Sequence, residues 1–169
     1  KAGITGEILI LGYTSPEYCK ELYDYNIIAT VVSYEHAEEM SKNSKQPVRC
    51  HTAIDTGMGR IGIRTYDEIK CADEIEKISK LQNITLEGIF THLAAADSYE
   101  KENVSYTESQ RNFFLSVKKI LSERGISLKH THYLNSAGGT FYADSESTLA
   151  RFGIMLYGLH PDVSLKLPF

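Results

Sequence analysis

The sequence predicts an α/β fold, a partial (β/α)8 TIM barrel with about six of the eight strand-helix units. Three observations carry this expectation. Six short apolar segments alternate with amphipathic helical patterns along the chain. Most of them are continuously apolar, as strands buried on both faces of a parallel sheet must be. The polar, glycine-rich and charged residues gather after the strands, where a barrel places its active site. The open dinucleotide-binding sheet, the other parallel architecture, needs a GxGxxG turn after its first strand. Gly12-Tyr13-Thr14 stands there instead.

The strands are expected at residues 7–12, 26–33, 48–55, 86–94, 131–136 and 152–159. Ser15-Pro16-Glu17 sets an N-cap, an N1 proline and an early acid in sequence, so a helix should begin there. Residues 67–81 place Ile69, Ala72, Ile75 and Ile78 on one face with charges opposite. Residues 103–124 carry Phe113, Phe114, Val117, Ile120 and Leu121 at helical spacing, and Gly125 ends the pattern. These stripes are surfaces for packing and carry no chemistry. Lys1-Ala2-Gly3 looks like the last turn of a helix, and residues 164–169 form an extended apolar exit. With no initiating Met, the chain is expected to be one domain, residues 1–169, cut from a longer protein.

Composition narrows the function classes. The chain has 169 residues, 42% hydrophobic and 24% charged, enough for one domain with a core. A net charge of −4 argues against a nucleic-acid partner. No apolar run approaches the ~20 residues that span a bilayer, and no signal peptide is visible, so a cytoplasmic setting is expected. Cys19, Cys50 and Cys71 are odd in number and lack CxxC spacing. They suit a reducing compartment as buried or incidental thiols, and no metal site is expected.

The run Asp55-Thr56-Gly57-Met58-Gly59-Arg60-Ile61-Gly62 closes the third strand. Its glycines let the backbone turn sharply and approach a ligand, and Arg60 offers a rigid fork of donors to an anion or a phenolate oxygen. The same run would also serve as a structural strand-to-loop turn. His92 follows the fourth strand, and reads either as a hydrogen-bonded core histidine or as a site residue. Asn135-Ser136-Ala137-Gly138-Gly139 is either a turn or a phosphate cradle, with the Ser136 hydroxyl and free backbone N–H groups as donors. Arg151 runs into Phe152-Gly153-Ile154 and reads either as a solvated helix-end charge or, since it enters an apolar strand directly, as an arginine with a buried partner. If two units are missing, the last two strands are the seventh and eighth of the barrel, whose loops commonly hold phosphate. His36, His51 and His130 read as surface or structural residues, and Asp97 and Asp144 have no evident partner.

Taken together, these runs resemble the barrel domain of the alanine racemase family, pyridoxal 5'-phosphate enzymes that interconvert L- and D-alanine. The resemblance rests on Asp55 to Gly62, Thr91-His92, Asn135-Ser136-Ala137, and Arg151 to Ile154 followed by Tyr157-Gly158, in order along nearly the whole chain. It implies that Arg60 contacts the phenolic oxygen of the cofactor and the substrate carboxylate. Ser136, with the backbone of Gly153 and Ile154, would hold the phosphate, and Arg151 would meet the pyridine nitrogen. The resemblance also counts His92 and Asn135 among the cofactor-binding residues. His92 and His132 would orient Arg151 and the distant base by hydrogen bonds.

Two departures accompany the resemblance. The lysine that forms the Schiff base belongs to the first barrel strand, and the opposing tyrosine base to a C-terminal β-domain. Neither is expected here, so no catalytic base is assigned within the chain, which is expected to be inactive alone. Many members also carry a carbamylated lysine two residues before the aspartate of the DTGMGR run, where Ala53 stands. Similar replacement occurs among the membrane-anchored serine/alanine racemases of glycopeptide resistance, which the opening residues 2–9 also resemble.

The leading expectation is an enzyme that racemises a small amino acid, alanine or serine, for cell-wall supply. It would work as a homodimer, and its parent could be anchored to the membrane. The alternative is a non-catalytic barrel that binds and delivers pyridoxal phosphate. A decarboxylase of the same fold is disfavoured, because it sets a carboxylate against the ring nitrogen where Arg151 stands.

Overall fold

The computed structural model describes residues 3–161. Five parallel strands pair strictly in chain order: β1 (Ile8–Leu9), β2 (Ile27–Val31), β3 (Val48–Ala53), β4 (Ile84–Phe90) and β5 (His130–His132). Such a sheet, with helices between successive strands, is a half barrel. The helices are α1 (Cys19–Asp24), α2 (Tyr34–Asn43), α3 (Glu68–Ser79), α4 (Lys101–Glu123) and α5 (Ser136–Phe141).

Alternation along each strand divides the side chains into two sets. On β3, Val48 and Cys50 face the helices and are fully buried with Met40, Ile75, Ile78, Phe114, Val117 and Leu121. Each such aliphatic or aromatic side chain contributes about 1.5–3 kcal/mol by leaving water. The opposite set, Arg49, His51 and Ala53, faces the barrel interior, beside Phe90 and His132 of the neighbouring strands.

Helix ends follow their caps. Asp67 accepts from the N–H groups of Ile69 (3.0 Å) and Lys70 (3.1 Å) to start α3. Gly125, at φ 77°, closes α4 as its glycine predicts. Ser33 is the N-cap of α2, accepting from the His36 N–H at 3.2 Å. The second strand therefore stops at Val31, short of the expected residue 33. Ser15 and Pro16 begin a 3₁₀ turn, Pro16–Tyr18, that runs on into α1, with no side-chain bond from Ser15. On α3 the buried stripe is Cys71, Ala72, Ile75 and Ile78; Ile69 is 59% exposed and does not belong to it. All three cysteines are free and buried.

One expected strand is not formed. Residues 152–159 give a 3₁₀ turn, Ile154–Tyr157, ended by Gly158 in the left-handed region at φ 71°. What remains of the sixth strand is one parallel bridge, Leu134 to Ala150, and the Arg151 N–H bonded to the Leu134 carbonyl at 2.8 Å. A strand there would be stabilised by burial, yet Leu156 and Tyr157 are 76% and 84% exposed. β5 is likewise shorter than expected, because Ser136 already opens α5. The expected helix turn at Lys1 and Ala2 and the apolar exit at 164–169 lie outside the described residues.

Candidate functional site

After β3 the chain makes a loop and returns beside itself. The Asp55 N–H bonds the Ile63 carbonyl and the Ile63 N–H bonds the Ala53 carbonyl, each at 2.9 Å. The buried Asp55 carboxylate accepts from the N–H groups of Gly57 (3.0 Å) and Gly59 (2.9 Å), which fixes the turn from inside. Gly62 sits at φ 118°, and a Cβ there would lie 2.8 Å from the Ala53 carbonyl carbon and the Asp55 nitrogen. No other residue fits. The loop thus holds Arg60 out over the strand ends, exposed and making no hydrogen bond or ion pair among the described residues.

Helix α4 supports this loop. The Tyr106 hydroxyl donates to the Gly57 carbonyl at 2.8 Å. Gln110 donates to the Thr56 hydroxyl at 3.1 Å and accepts from the Ala94 N–H at 2.9 Å. Thr56 and Thr91 share a hydrogen bond at 2.8 Å, linking the loop to the end of β4. Tyr106 and Gln110 stand in no sequence motif, and Thr56 and Thr91 stand in motifs that give them no role of their own. A signal existed for Gln110, since it lies four and seven residues before Phe114 and Val117 on the buried face of α4 and is 1% exposed. A polar amide on such a stripe must find partners.

Arg151 is the centre of the arrangement. One guanidinium nitrogen donates to His132 Nδ1 at 2.5 Å, and the other donates to the Thr91 carbonyl at 2.8 Å. The guanidinium lies 5.3 Å from the Phe90 ring centroid, and Phe90 stacks on His132 at 5.0 Å and 7°. No carboxylate pairs with Arg151 among the described residues. Burial and the nearby Arg60 charge pull its pKa down to about 10, so it remains a cation at neutral pH. The same pressures hold His92 and His132 neutral. Burial, then Arg151 and Arg60, lower His92 to about 4. Burial, then Arg151, His51 and His130, lower His132 to about 2. Of the two histidines expected to orient Arg151, it is His132 that takes its hydrogen bond, while the His92 ring makes none among the described residues.

The end of β5 supplies the other half of the site. Asn135 caps α5, its side chain accepting from the Gly138 N–H at 2.7 Å and donating to the Leu93 carbonyl at 3.1 Å. The Ser136 oxygen accepts from the Gly153 N–H at 3.0 Å, which leaves its own hydrogen free to donate. A Cβ on Gly153 would meet no atom within 4 Å, so open space lies over that backbone. Ile154 opens the 3₁₀ turn, where N–H groups lack an acceptor within the turn itself.

Two adjoining cavities collect these residues. One, of about 230 Å³, is lined by Arg60, Phe90, His92, Arg151 and Gly153, with Ala53 at its floor. The other, of about 330 Å³, is lined by His92, Asn135, Ser136, Arg151, Gly153 and Ile154. Every residue the sequence placed against a cofactor therefore lines one cavity or both, with His132 directly behind Arg151. No lysine lines either cavity. Asp144, left without a partner in the sequence reading, has two. It accepts from the Tyr133 hydroxyl at 2.5 Å and pairs with Arg111 at 2.5 Å, away from the site.

A parallel half barrel whose strand ends gather two arginines, a neutral histidine pair and a glycine-serine cradle defines the class: a strand-end binding domain of the TIM-barrel kind. Comparison with known proteins makes this specific. The chain belongs to the family described as alanine racemase, N-terminal domain, which matches residues 1–161. It is 42% identical to the alanine racemase of Clostridium tetani over 164 residues, 95% of this chain and 41% of that protein. It is 36% identical to an amino-acid racemase of Enterococcus faecalis over 170 residues, 99% of this chain and 23% of that protein. Among solved structures it is similar to the Clostridium difficile alanine racemase in complex with cycloserine. There the TM-score is 0.86 at 36% identity, over 96% of this chain and 44% of that one. The chain spans less than half the length of the relatives it matches.

The family depends on pyridoxal phosphate. The residues present fit that group. A buried donor with no carboxylate suits an unprotonated ring nitrogen, the space over Gly153 with the free Ser136 hydrogen suits a phosphate, and Phe90 and His92 wall a slot for an aromatic ring.

Proposed function

We propose that this chain forms the pyridoxal-phosphate-binding barrel of a racemase for a small amino acid, alanine before serine, as one domain of a longer enzyme. The observation that carries the reading is Arg151, a partly buried cation held by two acceptors and, among the described residues, left without a counter-charge where both cavities meet. Ser136, Gly153 and Ile154 would bind the phosphate, Arg151 would donate to the pyridine nitrogen, and Arg60 would bind the substrate carboxylate. Bound in this way, the cofactor supplies an electron sink that loosens the α-proton of an amino acid.

Arg151 sets how strong that sink is. A guanidinium does not surrender its proton at neutral pH, so Arg151 would donate a hydrogen bond to the pyridine nitrogen without protonating it. The bases that move the proton would come from outside this chain. Leu156, Tyr157 and Leu159, exposed beside the site, support a covering surface such as a second domain or the partner subunit of a homodimer. Three buried free thiols agree with a cytoplasmic setting, and peptidoglycan precursor supply is the role we assign.

Titration of the purified chain with pyridoxal phosphate, followed by cofactor absorbance, tests the binding half. Saturable binding that Arg151→Ala and Ser136→Ala weaken is expected; equal binding by all three would refute it. The intact protein should convert L-alanine to D-alanine. Tight cofactor binding without any turnover would instead identify a carrier of pyridoxal phosphate.

A further inference from the structure

The interior of a small barrel is ordinarily filled with branched aliphatic side chains. Here it holds three histidines on two successive levels. His51 on β3 aligns with Gly88 on β4, and Gly88 with His130 on β5, so His51 and His130 share one level, with ring centroids 5.4 Å apart. His132 lies one level nearer the site, its Nε2 at 2.9 Å from His51 Nδ1. Beneath them Arg49 pairs with Glu7 and, at 2.7 Å, with Glu87, and Lys129 joins Glu7 at 2.7 Å. A polar column thus runs from an ionic base to Arg151.

Two features of the backbone show that this column is built. The β3–β4 register shifts between Cys50 and His51, so Glu87 of β4 is left out of the pairing and Gly88 is brought opposite His51. Gly88 then makes room for the ring. A Cβ there would lie 2.6 Å from the His130 carbonyl oxygen and 3.0 Å from His51 Cδ2.

The direction of the hydrogen bonds follows from one fact. Arginine only donates, so His132 Nδ1 must present a lone pair to Arg151. Neutral His132 then carries its proton on Nε2 and donates it to His51 Nδ1. His51 in turn carries its own proton on Nε2, which is buried and has no protein partner among the described residues. The His132 N–H is thus directed away from Arg151 and into the column.

We propose that His51 is a positioning residue for the strand-end site: as the acceptor for His132 Nε2–H, it locks the tautomer that turns a lone pair toward Arg151. Without that acceptor, His132 either buries an unpaired N–H or flips its proton to Nδ1, where it opposes the guanidinium. The tautomer lock stands on the hydrogen bonds of the chain itself, whereas its effect on cofactor affinity rests on the function proposed above.

The test uses the intact protein labelled with ¹⁵N in its histidine rings, first without added cofactor. His132 and His51 should both show protonated Nε2 and unprotonated Nδ1 at neutral pH. His51→Asn keeps an oxygen acceptor near the place of Nδ1 and should leave the His132 signals in place. His51→Leu removes the acceptor and should shift the His132 Nε2 signal. Pyridoxal phosphate affinity should fall about tenfold in His51→Leu and recover in His51→Asn. A proton on Nδ1 of either histidine in the parent protein would overturn the proposal, whatever becomes of the variants. So would identical His132 signals in the Asn and Leu variants. If parent protein with the expected tautomers fails to bind pyridoxal phosphate, the functional reading falls and the tautomer lock stands.

Discussion

Acid should unfold this domain well before its carboxylates titrate. His51 and His132 are 1% and 0% exposed, and burial is the largest cause depressing each, to about 4 and about 2. His130 and Arg49 also push His51 down while Glu87 and Glu7 pull it up; Arg151, His51 and His130 all push His132 down. In the unfolded chain both rings bind a proton near pH ~6.5. Between the folded and unfolded values the unfolded state holds more protons, so stability rises with pH there and is lost as pH falls below 6.5. At pH 5 each ring costs roughly 2 kcal/mol, together about 4 kcal/mol, a large part of the ~5–15 kcal/mol that holds a domain folded. Urea unfolding followed by circular dichroism at pH 7.5, 6, 5.5 and 5 measures it. The slope below pH 5.5 should correspond to at least two protons, about 2.7 kcal/mol per pH unit. His51→Asn should lower that slope by one proton. A parent slope under one proton, or an unchanged slope in the variant, would refute the claim that these rings are buried neutral.

Other substitutions separate the fold from the site. Gly153→Ala sets a Cβ that meets no atom within 4 Å, so beyond a small backbone cost at φ −111° and ψ −88° the fold should hold, while pyridoxal phosphate binding, read by absorbance titration, falls at least tenfold. Gly62→Ala forces a Cβ against backbone at φ 118° and should cost roughly 3 kcal/mol, a melting temperature lower by about 6–12 °C. Ser136→Ala removes a donor to a charged phosphate, worth about 1.5–3 kcal/mol, and should weaken cofactor affinity on the order of ten- to a hundredfold with little change in melting. Tyr106→Phe loses one hydrogen bond to the Gly57 carbonyl; amide exchange at Gly57 and Gly59 should quicken while the global melt drops by about 1 kcal/mol.

The parts of the fold that were legible are those that local chemistry decides. Asp67 before an apolar stripe gives α3, and Gly125 after one ends α4, because a capping carboxylate and a left-handed glycine act within one turn. The apolar run at 152–159 could not be read so directly. Its hydrophobic residues fit a buried strand, but burial is a property of neighbours, and the described chain supplies none over Leu156 and Tyr157. The glycines at 153 and 158 were the local hint that the backbone turns there. The site was legible as far as Arg60, Ser136 and Arg151, whose chemistry is unusual for their surroundings. His51 was not, since one histidine in a strand says nothing of a partner 81 residues away. Only the register that sets β3, β4 and β5 side by side brings them together.

That register also explains why the barrel interior tolerates so much polarity. On the function proposed above, Arg151 would donate to an unprotonated nitrogen, and a carboxylate beside it would compete for that donor. Its charge is held by neutral acceptors, the Thr91 carbonyl and the His132 imidazole, whose other nitrogen donates to His51. His132 passes its remaining hydrogen bond inward to His51, and the paired charges of Glu7 and Glu87 lie beyond, at the base. At the base the charges are paired and partly solvated, with Arg49 holding Glu7 well down to about 2 after Lys129, the larger influence. The carboxylates of the column are thereby kept at its far end, and among the described residues none pairs with Arg151. The aliphatic filling usual for a barrel could supply neither the acceptor nor this separation, which is why the interior of β3, β4 and β5 departs from it.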